Sequence, residues 1–242
     1  MVLSFFRRGE SPMAHVTARI VTMLGDARHS FDVATSAVLS GGDTASAAKD
    51  IHSTDERINR TEHEIRRDLI VHISVQGPEE IAVVLGYSLL VKKVERIGDQ
   101  AKNILDLALE GVSLAGAEDL AEYADAQRAI SELFGDVAAL IVQPDLAKAE
   151  EIRRTAGELR VGHERRIREL VHSDQPGSWA VPRAVLHRYL KRIVANLEGV
   201  AWTVPDPDRE LQFYGAQAQS GLLPCGRAHG ATHGRHDLGE DR

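Results

Sequence analysis

The stretch VKKVERIGDQAKNILD, Val91 to Asp106, decides how the rest of the chain is read. Val91, Val94, Ile97, Ala101, Ile104 and Leu105 recur at the three- and four-residue steps of a helix with one buried face. Beside that stripe stand Glu95 and Asp99, four apart, so on a helix both carboxylates point the same way one turn apart. Like charges at that spacing repel by a few tenths of a kcal/mol in water and by more when partly buried. A metal ion, a pair of basic neighbours or plain solvent exposure would each relieve the repulsion.

Reading backwards from that helix, Gln76-Gly77-Pro78 marks a turn: Gly suits a helix end, and Pro the first position of the next helix, where Glu79 and Glu80 complement the dipole. The helix therefore spans Pro78 to about Glu110, with Val84, Tyr87 and Leu90 extending its inner face and Gly111 ending it. The preceding helix runs from a cap at Asp43 or Thr44 to about Val75. Alternating steps of four and three from Ile51 along it meet Asp55, Ile58, Glu62, Ile65, Leu69 and His72, so two acidic residues lie on a line that isoleucines mark as inward-facing. A first helix, Ser11 to Leu39, precedes the Gly41-Gly42 break.

Forward of the linker Val112 to Gly116 the design recurs. Helices are expected from Glu118 to Val142, from Leu146 to His172, and from beyond a Pro/Gly/Ser turn at Ser173 to Pro182 as far as Val204. Three helices followed by three helices suggest an internal duplication. The run Glu64 to His72 is echoed by Arg166 to His172, and Val94-Glu95-Arg96-Ile97 by Leu190-Lys191-Arg192-Ile193. The expected fold is all-α: two tandem three-helix bundles, residues 1–112 and 113–215, then a disordered Gly/His-rich tail at 216–242.

Composition narrows the function. Of 242 residues only 5% are aromatic, and Ala, Leu, Val, Ile, Glu and Arg dominate, which favours helices over sheet. A formal net charge of -7 argues against coating nucleic acid. A single cysteine, Cys225, can form no internal disulfide and points to a reducing compartment. The start, MVLSFFRRGESPM, reads as neither a signal peptide nor a span, and no later apolar run approaches the ~18 residues a membrane helix needs. Membrane insertion is not expected.

If the second and third helices form an antiparallel hairpin, Asp55 and Asp99 lie equidistant from the Gly77 turn and face each other. Asp55, Glu62, Glu95 and Asp99 would then make an oxygen-rich face suited to iron, manganese, magnesium or zinc. The competing account is ordinary solvated charge, with Glu95 paired to Lys92 or Arg96 and Glu62 to Arg66. His52 could add a nitrogen, though a lone exposed histidine is usually only that. No Walker-type phosphate loop and no Ser-His-Asp or Cys-His framework is present. Glu169 and His172 form one ExxH spacing where a di-iron oxidase needs two. The tail histidines His229, His233 and His236 lack further ligands.

Asp55, Asn59 and Glu62, followed by Gln76 and Pro78 and then Glu95-Arg96-Ile97-Gly98-Asp99 with Ala101, Asn103 and Ile104, resemble the first repeat of the PhoU family of bacterial phosphate-signalling proteins. The resemblance covers about 50 to 215 and is strongest in the first half. It implies two three-helix repeats whose E/DxxxD motifs bind iron or zinc clusters, here through Glu95 and Asp99 with Asp55 and Glu62. It also implies a cytoplasmic negative regulator that damps a high-affinity phosphate transporter through its ATPase and restrains a phosphate-sensing histidine kinase, with no catalytic reaction. A homodimer is left open. Where the family repeats its acidic motif, this chain has Lys191-Arg192-Ile193-Val194-Ala195, so the second metal site is expected to be absent. Arg160, Arg165, Arg166, Arg168, Arg183, His187, Arg188, Lys191 and Arg192 surround it, either as an anion or partner patch or as a solvated face balanced by Glu158, Glu164 and Glu169. The rival readings are a helical metal-dependent enzyme using the same carboxylates and a metal-free helical adaptor.

Overall fold

A computed structural model describes residues 12–204 of the chain. Within them run six helices: α1 (Pro12–Ser40), α2 (Thr44–Gln76), α3 (Ile81–Leu109) entered through a 3-10 turn at Pro78–Glu80, α4 (Leu120–Val142), α5 (Leu146–Val171) and α6 (Gly177–Thr203). No strand occurs among the described residues. The tail expected at 216–242, with Cys225 and its three histidines, lies outside them.

Local chemistry sets the ends of α2. The Asp43 carboxylate accepts hydrogen bonds from the backbone N–H groups of Ala45 and Ser46, both at 3.1 Å, satisfying two donors that the helix start leaves open. At the other end Gly77 takes φ 105°, a conformation that L side chains rarely adopt, and reverses the chain into α3. The line read through α2 is buried at Ile51, Ile58, Glu62, Ile65 and Leu69.

The α1, α2 and α3 helices pack on one another, and α3 also lies along α6. Ile20, Phe31, Ile58, Ile65, Ile97 and Ile104 join Phe134, Leu190 and Ile193 in one continuous apolar core. Burying each such side chain contributes roughly 1.5–3 kcal/mol. Gly98 governs the α2–α3 approach: a Cβ there would stand 3.1 Å from Ile58 Cδ1, so the bare Cα lets the two helices close up beside Asp99. Helix α4 leans mainly on α1, where Phe31 and Phe134 stack at 5.7 Å, and touches α5 and α6 lightly. A cleft therefore opens between α4 and α5.

Two expectations change. The linker Val112 to Gly116 is tied down, its Leu114 buried and donating its N–H to the Val38 carbonyl at 2.8 Å. The turn expected to last until Pro182 ends earlier, because α6 starts at Gly177 and carries Pro182 inside it. Beyond the first turn proline forfeits one ladder bond and crowds the carbonyl four residues back. The local contacts of α6 outweigh it: the Pro176 carbonyl accepts from Trp179 and Ala180, and the Arg183 guanidinium lies 4.1 Å over the Trp179 ring.

Candidate functional site on the α2–α3 face

The hairpin brings Asp55 of α2 and Asp99 of α3 to one point, and that point is a lysine. Lys102 Nζ lies 2.8 Å from Asp55 Oδ1 and 2.9 Å from Asp99 Oδ1. Asn59 Nδ2 donates to the other oxygen of Asp55 at 3.3 Å. Burial of the Lys102 ammonium would lower its pKa, but the hydrogen bonds and charges of the two carboxylates outweigh that and hold it above the usual lysine range.

The other two carboxylates turn to cations on their own helices. Glu62 is buried, and its Oε1 accepts from Arg66 Nη2 at 2.7 Å, one turn on. Glu95 Oε2 lies 2.7 Å from Lys92 Nζ, yet this buried oxygen accepts no hydrogen bond of proper geometry. His52 faces Glu56 across 3.5 Å in an exposed pair. Among the described residues no three His, Cys, Asp or Glu side chains gather closely enough to hold a metal ion. Of the four carboxylates singled out from the sequence, two are drawn together and two are paired separately. Lys102 was not singled out, although its place three residues after Asp99 is the spacing of a helical ion pair.

The second half handles charge differently. Arg183 of α6 forks onto Asp119 before α4, with Nε 2.7 Å and Nη2 3.0 Å from the two carboxylate oxygens. Hydrogen bonding from Arg183 holds the Asp119 carboxyl below its usual range. Arg166 bridges Glu122 and Glu169, each at 2.6 Å. Lys191 and Arg168 pair with Glu164, Arg165 with Glu169, and Arg160 with Glu198. The basic group anticipated around α6 is thus largely matched by carboxylates, while Arg188 and Arg192 point outward.

His187 is a core residue rather than part of that surface. It is 1% exposed, its ring lies 4.8 Å from that of Tyr123, and its Nδ1 meets His163 Nδ1 at 3.0 Å. Two neutral imidazoles share such a contact only when one carries its proton on Nδ1. Burial drives both pKa values down, to about 4 for His163 and, with His163 and Arg166 adding to it, to about 3 for His187. Burial also raises the Tyr123 phenol. The two histidines border the α4–α5 cleft, a space of about 640 Å³ lined also by Glu122, Arg165, Arg166 and Glu169. Nothing in the spacing of single helices announces this cluster, since its members come from three of them.

Compared with known proteins, residues 20–108 match the family model of the PhoU domain. Over that stretch the chain is similar to the PhoU domain. The matched PhoU segment begins within α1 and ends within α3, so it contains Asp55, Glu62, Glu95, Asp99 and Lys102, while α4 to α6 lie beyond it. The fold extends further: the crystal structure of PhoU from Pseudomonas aeruginosa superposes with a TM-score of 0.69 at 19% identity, covering 82% of this chain and 98% of that one. No curated protein matches the sequence.

Proposed function

We propose that this chain is a regulator of phosphate uptake and phosphate signalling that works in the cytoplasm through protein contacts. It damps a phosphate transporter by engaging its ATPase and restrains a phosphate-sensing histidine kinase, and it catalyses no reaction. The observation that carries this reading is the match of residues 20–108 to the PhoU domain, a stretch that holds α2 and nearly all of α3. No helix among the described residues is long and apolar enough to cross a membrane, which agrees with an adaptor that meets its membrane-bound partners from outside the bilayer.

The same face is proposed as a metal site formed by Asp55, Glu62, Glu95 and Asp99, with iron or zinc favoured and manganese or magnesium also compatible with oxygen donors. Asp55 and Asp99 suit a cation, since both already direct an oxygen at one ammonium. Glu95 stands on α3 one turn before Asp99, its Oε2 2.7 Å from Lys92 Nζ. A bound ion would neutralise the carboxylates and cross-link α2 to α3. The Lys102 bridge favours a second reading, a metal-free helical adaptor whose seam is neutral on its own.

Affinity capture on the tagged chain, from cells grown with abundant and with scarce phosphate, tests the regulator. Recovery of the transporter ATPase or the sensor kinase in a phosphate-dependent manner is expected. Recovery of neither under both conditions overturns it. Metal analysis of the purified chain beside a Glu95→Ala/Asp99→Ala variant tests the site separately; equal and negligible metal in both would sink it.

A further inference from the structure

The α4–α5 cleft is bordered by two polar atoms that the fold leaves unserved. His163 and His187 line it, are 5% and 1% exposed, and turn their Nδ1 atoms to each other, but neither Nε2 has a hydrogen-bond partner. A buried polar atom left in that state is costly, so native structures supply a partner from the protein, from solvent or from a ligand. One proton lies between the two Nδ1 atoms. The imidazole that carries it has a bare Nε2, and the other, being neutral, holds its own proton on Nε2. His187 Nε2 lies 3.7 Å from Glu122 Oε1, beyond hydrogen-bond reach but close enough for the carboxylate to favour an N–H there. His163 Nε2 is then the acceptor, and the pair offers one donor and one acceptor.

The charges around the cleft are already matched. Arg166 lies between Glu122 and Glu169, Arg165 pairs with Glu169, and Arg154 donates to Glu158 at 2.8 Å. An ionised ligand would lose its hydration there without meeting a spare counter-charge, whereas an uncharged one meets the two imidazoles and the apolar walls of Ala126 and Leu159. Gly162 keeps the space open. Inside α5 a glycine weakens the helix relative to alanine, yet a Cβ at this position would meet nothing within 4 Å, so no packing contact requires the bare Cα. The volume of about 640 Å³ is that of a small-molecule site. We propose that the α4–α5 cleft binds a small uncharged molecule of the amide class, a carboxamide or lactam, whose N–H donates to His163 Nε2 and whose carbonyl oxygen accepts from His187 Nε2. The site is separate from the carboxylates of α2 and α3 and does not depend on the regulator reading.

The test titrates three probes of one shape into the full chain at neutral pH: benzamide, which is uncharged, benzoate, an anion, and benzylamine, a cation. A lactam, 2-pyridone, is titrated in parallel. Binding is followed by nitrogen NMR of the imidazole rings, which also reads their tautomers, with the signals assigned through His163→Gln and His187→Gln. Benzamide and 2-pyridone are expected to move the Nε2 signals of both histidines with dissociation constants in the millimolar range or below. Benzoate and benzylamine should bind at least about tenfold more weakly, since each carries a charge that the cleft does not match. Gly162→Leu fills the cleft from α5 without touching either ring. It should weaken benzamide at least about tenfold while helical circular dichroism and melting temperature hold or rise, so the outcome stands even if the histidine variants fold poorly.

Imidazole signals that stay still with both amides up to their solubility would leave solvent as the partner of the two nitrogens and overturn the site. Equal affinity for all three benzene probes would overturn the uncharged class. Benzamide binding that survives Gly162→Leu in a folded chain would place the ligand elsewhere and overturn the proposal.

Discussion

Along the α2–α3 seam carboxylates mostly of little exposure are matched by half-exposed lysine and arginine on flexible stems, whereas between α6 and the start of α4 the cation itself is buried, as a guanidinium fork, near a neutral imidazole pair. Lys102 is 38% exposed, while Arg183 is 9% exposed and its partner Asp119 16%. Both arrangements neutralise carboxylates, but the pair closed by the exposed lysine can be opened at small cost. The enclosed pair cannot, because removing either partner strands a charge away from water.

Breaking the enclosed side should have the largest effect. Arg183→Ala strands Asp119, removes the packing on Trp179 and is expected to cost about 3 kcal/mol in urea unfolding. A loss under about 1 kcal/mol would mean that the fork does not hold α6 to the start of α4.

The histidine pair gives the next effect, through pH. Both imidazoles have an ordinary pKa of 6.5, yet the folded chain accepts their protons only at about 4 and about 3. Below pH 6.5 the unfolded chain therefore takes up protons that the folded chain refuses. The stability is fully present above that pH and is lost as pH falls toward 4 and on to 3. Unfolding measured from pH 7 to pH 4 should show the decline, and His163→Leu/His187→Leu should flatten it. An equally steep decline in the double variant would assign the acid sensitivity to the carboxylates instead.

On the seam, Gly98→Val should cost about 2 kcal/mol, because its side chain enters space where even a Cβ stands 3.1 Å from Ile58. Gly98→Ala should cost less, and a neutral outcome for valine would show the α2–α3 spacing to be slack. The smallest effect is expected from Lys102→Gln in metal-free buffer, about 1 kcal/mol. Adding Asp99→Asn should return part of that loss, a coupling that a double-mutant cycle reads directly.

Several features were legible along the chain because they depend on near neighbours. Helix positions followed from the three- and four-residue apolar steps, and the Asp43 cap and the Gly77 reversal from residue types with one strong local use. The meeting of Asp55 and Asp99 required only hairpin arithmetic about that turn. The partner found between them did not follow, because Lys102 reads equally well as a solvated i,i+3 partner of Asp99; its reach to Asp55 depends on how closely α2 and α3 approach. His187 looked like one more basic residue of α6, since whether an imidazole titrates in water or stays neutral in a core depends on which helices cover it.

The sequence by itself determined an all-helical fold, the order and approximate ends of six helices, the inner faces of the first three, and an acidic pair on each of α2 and α3. These are short-range properties, set by backbone propensity and by the 3.6-residue period that sorts apolar from polar side chains. Only the tertiary structure decided that one lysine would bridge the facing carboxylates, that α4 would lean on α1 and leave a cleft beside α5, and that Arg183 and the two histidines would be buried. Those outcomes depend on distances between segments far apart in the chain, which packing of the whole core sets and no single helix encodes.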